Sequence, residues 1–273
     1  MKRKWQIFFY SWFGLVSIFC VLLDLFMSTI QPDNHAKGQG WFTSYFDLSI
    51  INQFIYISVW TTLLVATFGI LSFIALFVKK MPKWILGKNN RTFLVSMTSI
   101  VFFVYTVSLI SNPDGIIGFD IWYKILKSSL EHFITPILMV VFYFCYVDKE
   151  QNVSCKAYAK KYGWLTIIFT GTYILVMVIR AAMLYNYGPK SDYLNQRPEN
   201  APSDWNWEDN SIAPFPYVVS PWTSPWYIWI PAGIAIVLSP YGVGNLYNWW
   251  SNHTNDWYFH HVQKKHDLER KLA

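Results

Sequence analysis

The sequence predicts an all-α polytopic membrane protein: about six transmembrane helices in one bundle, with both termini cytoplasmic. Three observations carry that expectation. Of the 273 residues, 53% are hydrophobic and only 14% are charged, whereas a soluble domain carries about 25% charged residues. The apolar residues collect in six runs, each long enough as a helix to cross a hydrocarbon core of about 30 Å. The lysines and arginines gather in alternate connections between those runs, which is the pattern that orients a membrane protein.

The first run spans Trp5 to Met27 and carries Asp24 near its far end. It comes after Met1-Lys2-Arg3-Lys4 and ends without a small-x-small cleavage site, so it reads as a retained span rather than a cleaved leader. A Gly- and Pro-bearing loop, Gln31 to Gly40, and the half-polar segment Trp41 to Ser49 lead to the second run, Ile51 to Val78. The third is Thr92 to Ile110 and the fourth Leu126 to Val147. The fifth is Trp164 to Tyr185, which contains Arg180, and the sixth is Trp226 to Trp250. Residues 1–250 thus form one transmembrane domain. Its longest loop, 186–225, holds seven prolines and turns aromatic at PFPYVVSPWTSPWYIW. Residues 251–273 form a basic tail.

With six crossings both termini share a face. The N-terminus, the second and fourth connections and the tail together hold 16 of the 22 basic residues, so that face is cytoplasmic and the chain is placed in the cell membrane. Orientation also accounts for the formal charge of +6, which in a soluble chain would raise the question of nucleic acid; none is expected as a partner here, and the expected partner is membrane lipid. The oligomeric state is left open. Cys20, Cys145 and Cys155 form neither a disulfide framework nor a zinc pattern. The tail's His260, His261 and His266 sit among Lys264, Lys265, Arg270 and Lys271, which reads as a segment held against anionic headgroups rather than a metal site. No metal and no cofactor is expected.

The fourth run is the unusual one. Glu131 and His132 lie inside it, and an ionisable group at that depth costs about 2.5–3.5 kcal/mol or more unless it is satisfied. Ser128, His132, Thr135 and Pro136 fall at i, i+4, i+7 and i+8 and would share one helix face. Counting about 1.5 Å per residue from the cytoplasmic end places Asp24, Glu131, His132 and Arg180 in one layer, about 22–28 Å into the core. Arg180 is the expected counter-ion of Asp24 or Glu131, because an unpaired buried charge is strongly destabilising.

Three segments, WFTSYFDLS at Trp41 to Ser49, LEHFITP at Leu130 to Pro136 and PFPYVVS at Pro214 to Ser220, resemble the androgen-induced-gene family. That family consists of multi-pass proteins including intramembrane threonine hydrolases of lipid esters, with related bacterial membrane proteins. The resemblance implies a hydroxyl nucleophile and a histidine base within the membrane. His132 matches the histidine position. The nucleophile position, three residues before Asp47, holds Ser44 where the family has threonine, with Thr43 beside it. By depth it is Thr61 and Thr62 that are level with His132, so four hydroxyls stand as candidates to face it.

On the enzymatic reading, Ser44 or Thr43 attacks a lipid-ester carbonyl, His132 takes the proton, and Arg180 holds the anionic group or the oxyanion. Glu131, Asp24 and Asp47 complete the candidate substrate-binding set. The rival reading is a non-catalytic membrane protein: a solute or lipid transporter, or an assembly component, whose polar layer is a binding or packing site. The sixth run, with Pro231, Gly233, Pro240, Gly242 and Gly244, is expected to be broken in the manner of transporter helices.

Overall fold

The computed structural model describes residues 3–30, 54–78, 80–111, 122–145, 153–187 and 224–258. Within them are six helices long and apolar enough to cross a membrane: α1 Arg3–Met27, α2 Ile57–Ala75, α3 Lys88–Ile110, α4 Trp122–Cys145, α5 Cys155–Met183 and α6 Trp226–Asn255. The loop 186–225 and the tail beyond Tyr258 lie almost wholly outside the described residues.

The ends of the helices differ from the hydropathy boundaries for local reasons. Tyr56 is extended (φ −92°, ψ 133°), so α2 starts at Ile57 rather than Ile51. Two side chains fix the segment before it, Tyr173 donating to the Ile55 carbonyl at 2.6 Å and Trp60 to the Phe54 carbonyl at 2.7 Å. α5 begins at Cys155, nine residues before Trp164. The Ser154 hydroxyl caps it by accepting from the Ala157 N–H at 3.2 Å, and such a cap satisfies one of the unpaired donors of a first turn. The sixth helix is continuous from Trp226 to Tyr258 through both Pro231 and Pro240, where the sequence predicts breaks. A proline removes the N–H that would bond the carbonyl four residues back. For Pro240 that carbonyl is Ile236, and Ser239 Oγ donates to it at 3.3 Å.

Helices α1 to α4 share one core. Phe142 of α4 stands at its centre, with ring centroids 5.3 Å from Phe9 and from Phe13, 5.7 Å from Tyr10 and 6.1 Å from Phe68. In lipid there is no hydrophobic gain from pairing apolar helices, so close van der Waals contact must hold them. The α1–α2 crossing has that character. A Cβ on Gly69 would lie 2.2 Å from the Gly14 nitrogen and 2.6 Å from the Phe13 carbonyl carbon, so the two backbones touch where only glycine fits.

Helix α6 packs on α3 and α5, and polar bonds fasten that side. Lys88 Nζ donates to Asn252 Oδ1 at 2.6 Å, and the amides of Asn248 and Asn252 both donate to the Val153 carbonyl, at 2.8 and 2.7 Å. Thr92 and Tyr143 share a hydrogen bond of 2.9 Å, and Ser99 and Tyr247 one of 3.0 Å. The helix N-termini at Lys88 and Cys155 are thereby tied to the C-terminal half of α6.

Candidate functional site

Helix α4 brings the ionisable residues together, and its backbone is not uniform. Residues Leu130–Ile134 form a π turn, as do Trp12–Val16 in α1 and Ala159–Gly163 in α5. A π turn accommodates one extra residue and rotates the helix beyond it; such turns are frequent at functional sites. The single polar face expected from Ser128, His132, Thr135 and Pro136 is therefore divided. His132 and Ser128 face Tyr105 of α3, whereas Glu131 and Thr135 face a cavity between α1, α2 and another part of α3.

On the first side, His132 Nδ1 lies 3.1 Å from the Ser128 carbonyl oxygen. The imidazole stacks on the Tyr105 ring of α3, with centroids 4.0 Å apart and planes inclined by 13°. A carbonyl only accepts, so Nδ1 carries the proton and Nε2 presents a lone pair. Among the described residues no serine or threonine hydroxyl is hydrogen-bonded to this ring. Thr61 and Thr62, level with it by depth, are turned instead towards Glu131.

On the second side, Glu131, Thr135, Thr61, Thr62, Ser17 and Thr98 line a small cavity with Cys20 and two valines; it has about 10 Å³ of room, enough for one water. Glu131 is 4% exposed, Ser17 1% and Thr61 2%. Neither carboxylate oxygen of Glu131, nor Ser17 Oγ, nor Thr61 Oγ1 has a hydrogen-bond partner among the described residues. Thr135 accepts a bond of 3.2 Å from Nε1 of Trp12, the first residue of the π turn in α1.

Lys127, rather than Arg180, is the cation set against the two acids. Its ammonium is 2.5 Å from Asp24 Oδ2 of α1 and 3.7 Å from Glu131 Oε2, one turn along α4. All three side chains are buried. The physical reason is helical spacing: Lys127 and Glu131 are four apart on one face, and α1 runs alongside this part of α4. Arg180 is half-buried on α5, within electrostatic range of the Tyr56 phenol. It lies seven residues beyond Tyr173, on the same helix face, which is the face that grips the entry to α2.

Of the residues singled out from sequence, the structure unites Asp24 and Glu131 through Lys127, with His132 adjacent. Ser44, Thr43 and Asp47 lie outside the described residues. Sequence reasoning misses Lys127, Tyr105 and the hydroxyls of Ser17 and Thr98. Lys127 can be found from its i, i+4 relation to Glu131; the other three carry no signal of their own within apolar runs.

No family model matches the chain, and comparison with curated proteins and with solved structures finds no match.

Proposed function

We propose that the protein is a multi-pass component of the cell membrane, with both termini cytoplasmic, that hydrolyses a lipid ester in the outer leaflet. The hydroxyl of Ser44 or Thr43 is the nucleophile and His132 the base. The observation that carries the reading is the setting of His132. Its Nδ1 proton is engaged by the Ser128 carbonyl and its plane is set by Tyr105, which leaves the Nε2 lone pair for a proton in flight. An imidazole fixed in one tautomer is what a general base requires. The resemblance of three segments to the androgen-induced-gene family supports the same assignment.

In this mechanism the hydroxyl oxygen bonds to the ester carbonyl carbon while its proton passes to His132 Nε2. The carbonyl π electrons collect on the oxyanion. When they return, the C–O bond to the alcohol breaks and the alcohol takes the proton from His132. Water, deprotonated by the same nitrogen, then attacks the acyl carbon; the bond to the Ser44 or Thr43 oxygen breaks, that oxygen takes the proton back from His132, and the fatty acid leaves. Arg180, on the α5 face that holds the entry to α2, is suited to an anionic headgroup or the oxyanion.

The test is labelling of the purified full chain by a fluorophosphonate. The parent should be labelled, and His132→Ala and the double variant Thr43→Ala/Ser44→Ala should not, with melting temperatures within a few degrees of the parent. No labelling of the parent, or labelling that survives both changes, removes the reading. A second reading, a non-catalytic transporter or binding protein, draws support from Glu131, whose carboxylate is buried in a polar cavity that His132 does not line; uptake by protein-bearing liposomes without labelling would favour it.

A further inference from the structure

The Glu131 cavity plays no part in the proposed hydrolysis, and its chemistry is specific. The geometry points to a binding site for a sodium-sized monovalent cation there, with the Glu131 carboxylate as the anionic ligand and the hydroxyl oxygens of Ser17, Thr61, Thr62, Thr98 and Thr135 around it.

Charge is the first argument. The cluster sets two carboxylates, Asp24 and Glu131, against one ammonium, and Lys127 is committed closely to Asp24 at 2.5 Å while standing 3.7 Å from Glu131. Among the described residues the ion pairs of this cluster then leave one negative charge in excess, within a region where an isolated ion is costly. The second argument is the set of oxygens without bonds. Both oxygens of Glu131, with Ser17 Oγ and Thr61 Oγ1, are buried and lack hydrogen-bond partners among the described residues, although buried polar atoms are in general satisfied. Thr98 spends its proton on the Leu94 carbonyl at 2.9 Å, and Thr135 receives the Trp12 N–H; both oxygens keep a lone pair.

The third argument concerns identity. Hydroxyl and carboxylate oxygens are hard donors, suited to alkali and alkaline-earth ions rather than to zinc or copper. Among the described residues no three His, Cys, Asp or Glu side chains gather as a metal-holding group. A single uncompensated carboxylate balances one positive charge, which selects a monovalent ion over calcium. Room for one water-sized occupant favours sodium over potassium. Four helices contribute: Ser17 comes from α1, Thr61 and Thr62 from α2, Thr98 from α3, and Glu131 and Thr135 from α4. Occupancy would therefore clamp the core of the bundle, and a ligand that binds only the folded state raises its stability.

The experiment measures the melting temperature of the purified full chain in detergent, in sodium, potassium and choline chloride at one ionic strength. Sodium should raise it saturably by about 2–5 °C over choline, with potassium weaker. Glu131→Gln should abolish the sodium response while melting in choline no lower than the parent, since it removes an uncompensated charge. Ser17→Ala and Thr61→Ala should each raise the half-saturating sodium concentration several-fold, and they carry the test if Glu131→Gln does not fold. Equal melting in all three salts, as a water-filled cavity would give, overturns the proposal. So does a sodium response that persists in Glu131→Gln. Fluorophosphonate labelling does not enter this measurement, so the cation site and the hydrolase can fail separately.

Discussion

Lys127 of α4 and Asp24 of α1 meet at 2.5 Å with both side chains buried, so two helices far apart in the chain are pinned by a charge pair inside the bundle. Removing one partner leaves the other charge buried and unanswered. Lys127→Met should therefore destabilise by about 3–5 kcal/mol. The double variant Lys127→Met/Asp24→Asn should recover much of that loss in a double-mutant cycle measured by thermal unfolding. A single variant as stable as the parent would show that the pair contributes nothing.

The glycine contact between α1 and α2 predicts a ranking. Gly69→Ala forces a Cβ to within 2.2 Å of Gly14 backbone and should lower stability by about 1–3 kcal/mol. Gly171→Ala meets nothing within 4 Å and should be neutral or gain up to about 1 kcal/mol from helix propensity. Equal melting temperatures for the two variants would contradict the crossing.

Tyr105 sets the plane of the His132 imidazole. If it acts by stacking, Tyr105→Phe should label with fluorophosphonate at a rate near the parent's. Tyr105→Ala should be slower by roughly 2–10-fold, the worth of an aromatic pair at about 0.5–1.5 kcal/mol. Loss of labelling in Tyr105→Phe would instead assign the work to the phenol hydroxyl.

Between Thr92 and Tyr143 the hydrogen bond of 2.9 Å joins α3 to α4. Thr92→Val and Tyr143→Phe should each cost little, with a coupling energy of about 0.6 and at most about 1.7 kcal/mol. A coupling of zero in the cycle would mean that each hydroxyl finds another partner.

Orientation is open to chemical labelling. A membrane-impermeant maleimide applied to intact cells should modify Ser191→Cys, in the loop 186–225. The variant Lys265→Cys, in the tail, should react only after permeabilisation. The reverse pattern would invert the topology that the basic residues imply.

The six helices are legible in the sequence because a crossing demands length and apolarity, which composition displays directly. Their ends are less so. α4 begins at Trp122 rather than Leu126: Lys124 reads as a flanking charge and Lys127 stands at the very edge of the run, whereas Lys127 is neutralised by Asp24 inside the bundle. α5 begins at Cys155, although Lys156, Lys160 and Lys161 read as a connection. Depth counting aligns Thr61 and Thr62 with the ionisable residues, yet it does not say which neighbour they meet. That choice is made by the π turn at Leu130–Ile134, and nothing in the residues LEHFI distinguishes an i→i+5 bond from an i→i+4 bond. Arg180 is the obvious cation by sequence because it stands alone in an apolar run; Lys127 is overlooked for the very charge that makes it useful.

The π turns in α1 and α4 are also places where these two rods hold one residue more than ordinary winding needs. Trp12, which opens one, donates to Thr135, which comes directly after the other. Deleting one residue from 130–134 should restore ordinary winding and leave Thr135 to Cys145 close to their present faces, because the wide turn absorbs the extra residue. Deleting one from 136–141 has no such slack and would swing everything after it through about 100°. Phe142 would then turn out of the core that four helices share. As far as packing decides, deletions should accordingly be tolerated in the long loops and at these five positions but not in the winding beyond them, where chain length itself has become part of the packing.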